Sequence, residues 1–215
     1  MVIKLRVLLK LLILYWEKFL HIIEKFLSLD PKKLSQVYDE VGSECVERGL
    51  ERDAIDLYQK AILLNPDDKN AYFQLGKIYT RTKNWDEAMR SYRRSVELGL
   101  RNHEVYYLIG LAHDHFNQTD EALECYKKAI KLDSNHDEYY FRVGLVYDSK
   151  KMHDRAIISY KKAISINSRE PRYYYSLGLA YDSKGMHNKA VDFLRKAMEL
   201  QEKESPVIDK ESERI

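Results

Sequence analysis

Between Ser35 and Glu204 the pattern of apolar and polar positions returns every 34 residues. A tyrosine (Tyr38, Tyr72, Tyr106, Tyr140, Tyr174) precedes an aliphatic residue (Val41, Leu75, Ile109, Val143, Leu177), and a glycine follows at once (Gly42, Gly76, Gly110, Gly144, Gly178). Twelve residues on stands an alanine (Ala54, Ala88, Ala122, Ala156, Ala190), and then a second small residue (Ala61, Ser95, Ala129, Ala163, Ala197). Five of the eight glycines in the chain keep this register, so the period is a built unit. Each period holds two blocks of helical spacing around a short polar break, which predicts a pair of amphipathic helices. Units of this size bury their apolar faces by stacking on their neighbours, so the pattern predicts an all-α array.

The breaks fall at Arg48-Gly49, Thr82-Lys83-Asn84, Phe116-Asn117-Gln118, Lys150-Lys151 and Lys184-Gly185. Glycine and asparagine tolerate the left-handed residue that ends a helix. Asp86, Asp120, Asp154 and Asn188 are placed to cap the second helices. Those helices are expected to end near Asn65-Pro66, Leu98-Gly99, Asp133-Ser134 and Asn167-Ser168, and Pro171 to open the last repeat. Glycine within a helix costs about 1 kcal/mol relative to alanine. Close helix contact must offset that, with the alanine twelve residues later as the opposing flat surface. Tyr58, Tyr92, Tyr126 and Tyr160 would fill the groove beside it.

Residues 1–34 break the pattern. They carry seven basic and three acidic side chains in the most apolar stretch of the chain. The longest run without a charge, Leu11 to Trp16, is too short to span a membrane, and Lys10 interrupts any signal-like core. From Lys10 the polar residues fall at helical spacing. Glu17 to Pro31 has the layout of a second helix, with Phe19 and Phe26 where regular repeats hold alanine and Asp30-Pro31 as its stop. Residues 1–34 therefore predict a degenerate repeat that cannot close on itself, an apolar docking segment with Leu12, Trp16, Phe19 and Phe26 as contacts. Five regular repeats follow (35–68, 69–102, 103–136, 137–170, 171–204). A polar tail, 205–215, is expected to fray after the last helix caps the array.

Charge and chemistry alter this picture little. With 36 basic and 34 acidic residues there is no global pull toward nucleic acid. Two distant cysteines, Cys45 and Cys125, offer neither a disulfide framework nor a metal pattern, which suits a reducing, cytoplasmic setting. His113 and His115 point to different helix faces, and His153 and His187 are equivalent positions of neighbouring repeats, so no metal site is predicted. No phosphate loop, H-E-x-x-H or nucleophile elbow occurs, and neither an enzyme nor a cofactor is expected.

The 34-residue frame with its L-G, Y and A positions resembles the tetratricopeptide repeat. The resemblance implies a right-handed α-solenoid whose first helices line a concave groove for a peptide or helix. Repeat positions 2, 5, 9 and 12 would face it. Here they include an aromatic row (Phe73, Tyr107, Phe141, Tyr175), a leucine row (Leu111, Leu145, Leu179), an aspartate row (Asp114, Asp148, Asp182) and Lys77. Such a groove suits an apolar helix flanked by basic residues, the character of residues 1–28, so head-to-tail self-assembly is expected. The alternative is that the same residues pack between repeats. On the second helices Arg93-Arg94, Lys127-Lys128 and Lys161-Lys162 predict a basic outer face, either a solvated surface or a seat for anionic lipid.

Val143–Ser149 with His153-Asp154, and Ser176–Tyr181 with Lys184-Gly185, resemble the magnetosome-associated scaffold family of magnetotactic bacteria. That resemblance implies a cytoplasmic homo-oligomer that coats the magnetosome membrane peripherally and recruits other proteins. The competing expectations are a general bacterial adaptor for one peptide or enzyme, and an assembly factor anchored to a membrane by residues 1–16.

Overall fold

A computed structural model describes residues 13, 15–20 and 30–204. The expectations for residues 1–12, for 21–29 and for the 205–215 tail, including Leu12 and Phe26 as docking contacts, lie outside the described residues. Among these, every regular element is helical: a segment over 15–20, then α1 (Pro31–Glu47), α2 (Glu51–Leu64), α3 (Lys69–Arg81), α4 (Trp85–Glu97), α5 (His103–His115), α6 (Thr119–Leu132), α7 (Asp137–Ser149), α8 (His153–Ile166), α9 (Pro171–Ser183) and α10 (His187–Glu204). The chain forms two compact units, Met1–Leu100 and Arg101–Ile215. In the first, α1 pairs with α2 and α3 with α4, and α2 packs on α3. In the second, α5, α7 and α9 pair with α6, α8 and α10, while α6 packs on α7 and α8 on α9.

All five breaks share one geometry. The residue after the first helix is left-handed: Gly49 (φ 70°), Lys83 (62°), Asn117 (56°), Lys151 (57°) and Gly185 (72°). The next amide reaches back to the carbonyl of the last turn, Leu50 to Cys45, Asn84 to Tyr79, Gln118 to His113, Met152 to Tyr147 and Met186 to Tyr181, at 2.8–2.9 Å. This is the hydrogen-bond pattern that closes a helix on a left-handed residue. Lys83 and Lys151 hold it without glycine's freedom. Lys83→Gly and Lys151→Gly should therefore each stabilise the chain, by about 0.5–1 kcal/mol in urea unfolding.

The capping differs from expectation. The second helices start one or two residues early, at Glu51, Trp85, Thr119, His153 and His187. Their caps Leu50, Asn84, Gln118 and Met152 make no side-chain cap bond. Asp86, Asp120 and Asp154 stand inside the first turn, where they complement the helix dipole. Asp120 and Asp154 also pair with Lys150 and Lys184 of the following repeat, as Glu51 does with Arg81 at 3.6 Å. Side-chain caps serve the first helices instead, from Asp30, Asp68, Asn102 and Glu170. Asp30-Pro31 is thus a helix start: a proline at the first helical position needs no amide partner, and α1 opens ahead of Ser35.

The glycine ladder also has a different partner. A Cβ on Gly76 or Gly110 would lie 2.5 Å from the Tyr92 or Tyr126 ring, and Gly144 faces Tyr160 in the same way. Sixteen residues separate each pair, so in these repeats a Cβ would meet the tyrosine ring before the alanine twelve residues on. In the last repeat Leu194 takes the ring's place, and the carbonyl oxygen of Ala190, twelve residues on, lies 3.2 Å from the same point. The rings at Tyr92, Tyr126 and Tyr160 are fully buried. Their hydroxyls run beneath the first helix: Tyr58 meets Ser43 at 2.9 Å, Tyr92 meets Thr80 at 2.8 Å, and Tyr126 donates to Asp114. The Tyr160 hydroxyl is buried near Asp148 but outside hydrogen-bonding geometry.

Candidate protein-binding face

In the second unit burial separates the aromatic row into two kinds. Phe141 is 6% exposed, packed on the rings of Tyr160 (5.8 Å) and Tyr173 (4.8 Å) with the Arg172 guanidinium above it. Tyr107 is half-buried against Tyr126 and Tyr139. Tyr175, at the equivalent position of the last repeat, is 54% exposed. In the first unit Phe73 is buried on Tyr92, with the Lys77 ammonium 5.4 Å from its ring. Phe73 and Phe141 are therefore packing residues rather than an open binding surface.

What remains open is concentrated in the last repeats. Leu145 and Leu179 are exposed, whereas Leu111 is half-buried against the Ala122–Tyr126 core. Val191 and Met198 on α10 are exposed too, although their counterparts Leu123 and Ile157, and Ile130 and Ile164, are covered or packed. α10, the last helix of the array, thus carries exposed apolar side chains. A cleft of about 570 Å³ opens there, lined by Phe141, Pro171, Arg172, Tyr175, Ala197 and Met198, with Glu170, Ser176 and Gln201 at its polar margin.

The aspartate row is engaged. Burial raises the Asp114 carboxyl above its ordinary range, against the hydrogen bond from Tyr126 and the nearby Arg142. Asp148 and Asp182 lie 2.8 and 2.6 Å from the Nδ1 atoms of His153 and His187, a pairing repeated across the turn of two successive repeats. Arg172 bonds Glu170 at 2.8 Å and lies 3.5 Å from Glu138, so the cleft's cation is already partnered.

The outer face is exposed at Arg93, Arg94, Lys127, Lys128, Lys161 and Lys162. Part of its charge is committed locally. Lys127 bonds Glu124 at 2.9 Å and Arg94 bonds Glu97 at 3.2 Å. Lys60, Lys128 and Lys162 sit 5.8–5.9 Å from the rings of Tyr38, Tyr106 and Tyr140, which gives the tyrosine before the glycine a partner in three of the repeats. In the first unit Trp16 and Phe19 form an exposed aromatic pair at 5.8 Å, while Leu20 is buried, Ile13 packs on the α1–α3 core and Glu17 bonds Lys60.

One cluster was not legible as a motif. His103 at the start of α5, Asp133 at the end of α6 and His136 before α7 bring two imidazoles and a carboxylate together.

Models of the tetratricopeptide repeat match residues 103–136 and 171–204, and further models of the same repeat match 71–104, 42–83 and 149–185. Together these take in most of the chain. The chain belongs to the tetratricopeptide-repeat family. Two solved MamA structures are 34% and 33% identical to it, over 76% and 80% of this chain and 95% and 93% of theirs, with TM-scores of 0.72 and 0.74. A YrrB structure, described as a TPR protein with an unusual peptide-binding site, shares the fold at 23% identity, over 78% of this chain and 86% of its own, with a TM-score of 0.71. No curated protein sequence gives a match. The tetratricopeptide fold is a protein-interaction scaffold, and this chain is close to MamA within it. No helix among the described residues is long and apolar enough to cross a membrane.

Proposed function

We propose that this chain is a non-enzymatic scaffold that assembles head-to-tail, coats the magnetosome membrane peripherally and recruits other proteins there. The observation that carries the assembly is a pair of open apolar surfaces. Trp16 and Phe19 project from the first unit, and Tyr175 and Met198 flank the cleft of the second. The N-terminal segment of one copy enters the cleft of the next, a heterologous contact that extends into rings or open chains. Basic side chains of that segment meet the Glu170 carboxylate at the cleft margin. The likeness to MamA supports the magnetosome setting, and the exposed Lys127 and Lys161 supply the membrane-facing charge.

Light scattering after gel filtration tests the assembly. The intact chain is expected to run well above its 25.5 kDa mass. Trp16→Glu with Phe19→Glu, or Tyr175→Glu with Met198→Glu, is expected to return it to monomer. The intact assembly should also sediment with purified magnetosome vesicles and come off in an alkaline wash. A monomeric intact chain, or variants that assemble unchanged, would replace this reading with that of an adaptor for a peptide partner.

A further inference from the structure

The structure assigns a divalent metal site to His103, Asp133 and His136, of the borderline class taken by zinc. One ligand atom from each lies within 4.8 Å of the others. Asp133 Oδ2 is 3.4 Å from His136 Nε2 and 3.9 Å from His103 Nε2. A tetrahedral zinc ion with bonds of about 2.0–2.1 Å sets its ligand atoms roughly 3.3–3.5 Å apart. The shortest edge already has that length, and the others close by side-chain rotation.

Each ligand is oriented by a second contact, as metal ligands are in built sites. The other carboxylate oxygen of Asp133 accepts the Asn135 amide at 2.9 Å, which aims Oδ2 at both rings. His103 Nδ1 shares a 2.7 Å hydrogen bond with the Tyr139 hydroxyl. With Nδ1 as donor, the lone pair of Nε2 faces Asp133, the tautomer that binds metal. The His136 ring packs 4.7 Å from Tyr139 and 5.1 Å from His103. All three ligands keep side-chain exposure between 33% and 46%, which leaves room for water at the remaining coordination position.

The repeat supplies an internal comparison. The same frame positions one repeat later hold Asp137, Asn167 and Glu170. There Asn167 and Tyr173 hydrogen-bond Asp137 at 2.9 and 2.8 Å. The equivalents of positions 103 and 133 thus meet in the next repeat as well. At 103, 133 and 136 they carry two imidazoles and one carboxylate, a set that suits zinc, nickel or cobalt and not the all-oxygen preference of magnesium or calcium. A bound ion would join the start of α5 to the α6–α7 connection and fasten the two ends of the third repeat.

Calorimetric titration of the untagged, chelator-treated full chain with zinc chloride at pH 7.5 tests the site. One ion per chain is expected to bind saturably, and magnesium chloride should give no such binding. His103→Gln and His136→Gln should each weaken zinc by about tenfold or more, while His115→Gln leaves it unchanged. Zinc should raise the melting temperature of the intact chain and not of the His103→Gln/His136→Gln double variant. Circular dichroism of the metal-free variants checks that they remain folded. Absence of a saturable single site, or undiminished binding in the folded double variant, would overturn the assignment.

Discussion

Gly110→Ala should unfold at clearly lower urea than the natural chain, with a loss of about 2 kcal/mol. A methyl group at residue 110 would lie 2.5 Å from Cε1 and 2.7 Å from Cδ1 of Tyr126. That ring is fully buried, its hydroxyl is held by Asp114 and its face by Tyr107 at 5.9 Å, so it cannot swing aside. Overpacking of this kind reaches about 3 kcal/mol. Alanine's better helix propensity returns about 1 kcal/mol of it. Gly42→Ala makes the comparison decisive, because its methyl would meet Tyr58 only at 3.2 Å, a distance that small shifts relieve. Urea curves followed by circular dichroism should place Gly42→Ala within about 0.5 kcal/mol of the natural chain. Equal effects at the two positions would mean that the tyrosine rings do not set the glycine requirement.

Asp39→Asn should stabilise the first unit at pH 8 and leave it nearly unchanged at pH 4. Burial, then Asp68 and Glu40 nearby, pushes the Asp39 carboxyl from its ordinary 3.8 up to about 7. One of its oxygens has no hydrogen-bond partner among the described residues. Below the ordinary value the group is protonated in both folded and unfolded chains and has no effect. Between there and about 7 the folded chain keeps a proton that the unfolded chain releases. Stability therefore falls as pH rises through this window, opposite to the acid lability of a paired carboxylate. Full burial would make the shift worth about 4 kcal/mol. Asp39 is only half-buried, and solvent screening reduces this to about 1–2 kcal/mol. The measurement is the difference in unfolding free energy between variant and natural chain at pH 4, 6 and 8. A difference that does not grow with pH would remove Asp39 from the account.

The helix pairs and their turns were readable because they depend on neighbours in sequence. Gly49, Lys83, Asn117, Lys151 and Gly185 fall in the expected breaks even where the residue is lysine, since the position in the frame decides the backbone. The partner of the glycines was not readable in the same way. Alanine at twelve residues and tyrosine at sixteen lie on one stripe of the second helix, and spacing alone does not say which one covers the glycine. Exposure along the groove was hidden for a related reason. Phe141 and Tyr175 occupy equivalent positions, and only the presence of a following helix pair makes one core and the other surface. The cluster of His103, Asp133 and His136 spans 34 residues, from the start of α5 to the residue before α7. Its one trace in the sequence is the repeat frame, since the equivalents of 103 and 133 one repeat later, Asp137 and Asn167, also meet.

The division into two units also has an optical side. Both tryptophans of the chain, Trp16 and Trp85, lie in the first unit, and the second has tyrosine and phenylalanine but no tryptophan. Tryptophan emission excited at the red edge therefore watches one half of the molecule, while helical ellipticity watches both. A loss confined to residues 101–215 shows as a gap between the two signals, and a change at Asp39 shows in emission first. The chain carries its own label for telling which half has opened.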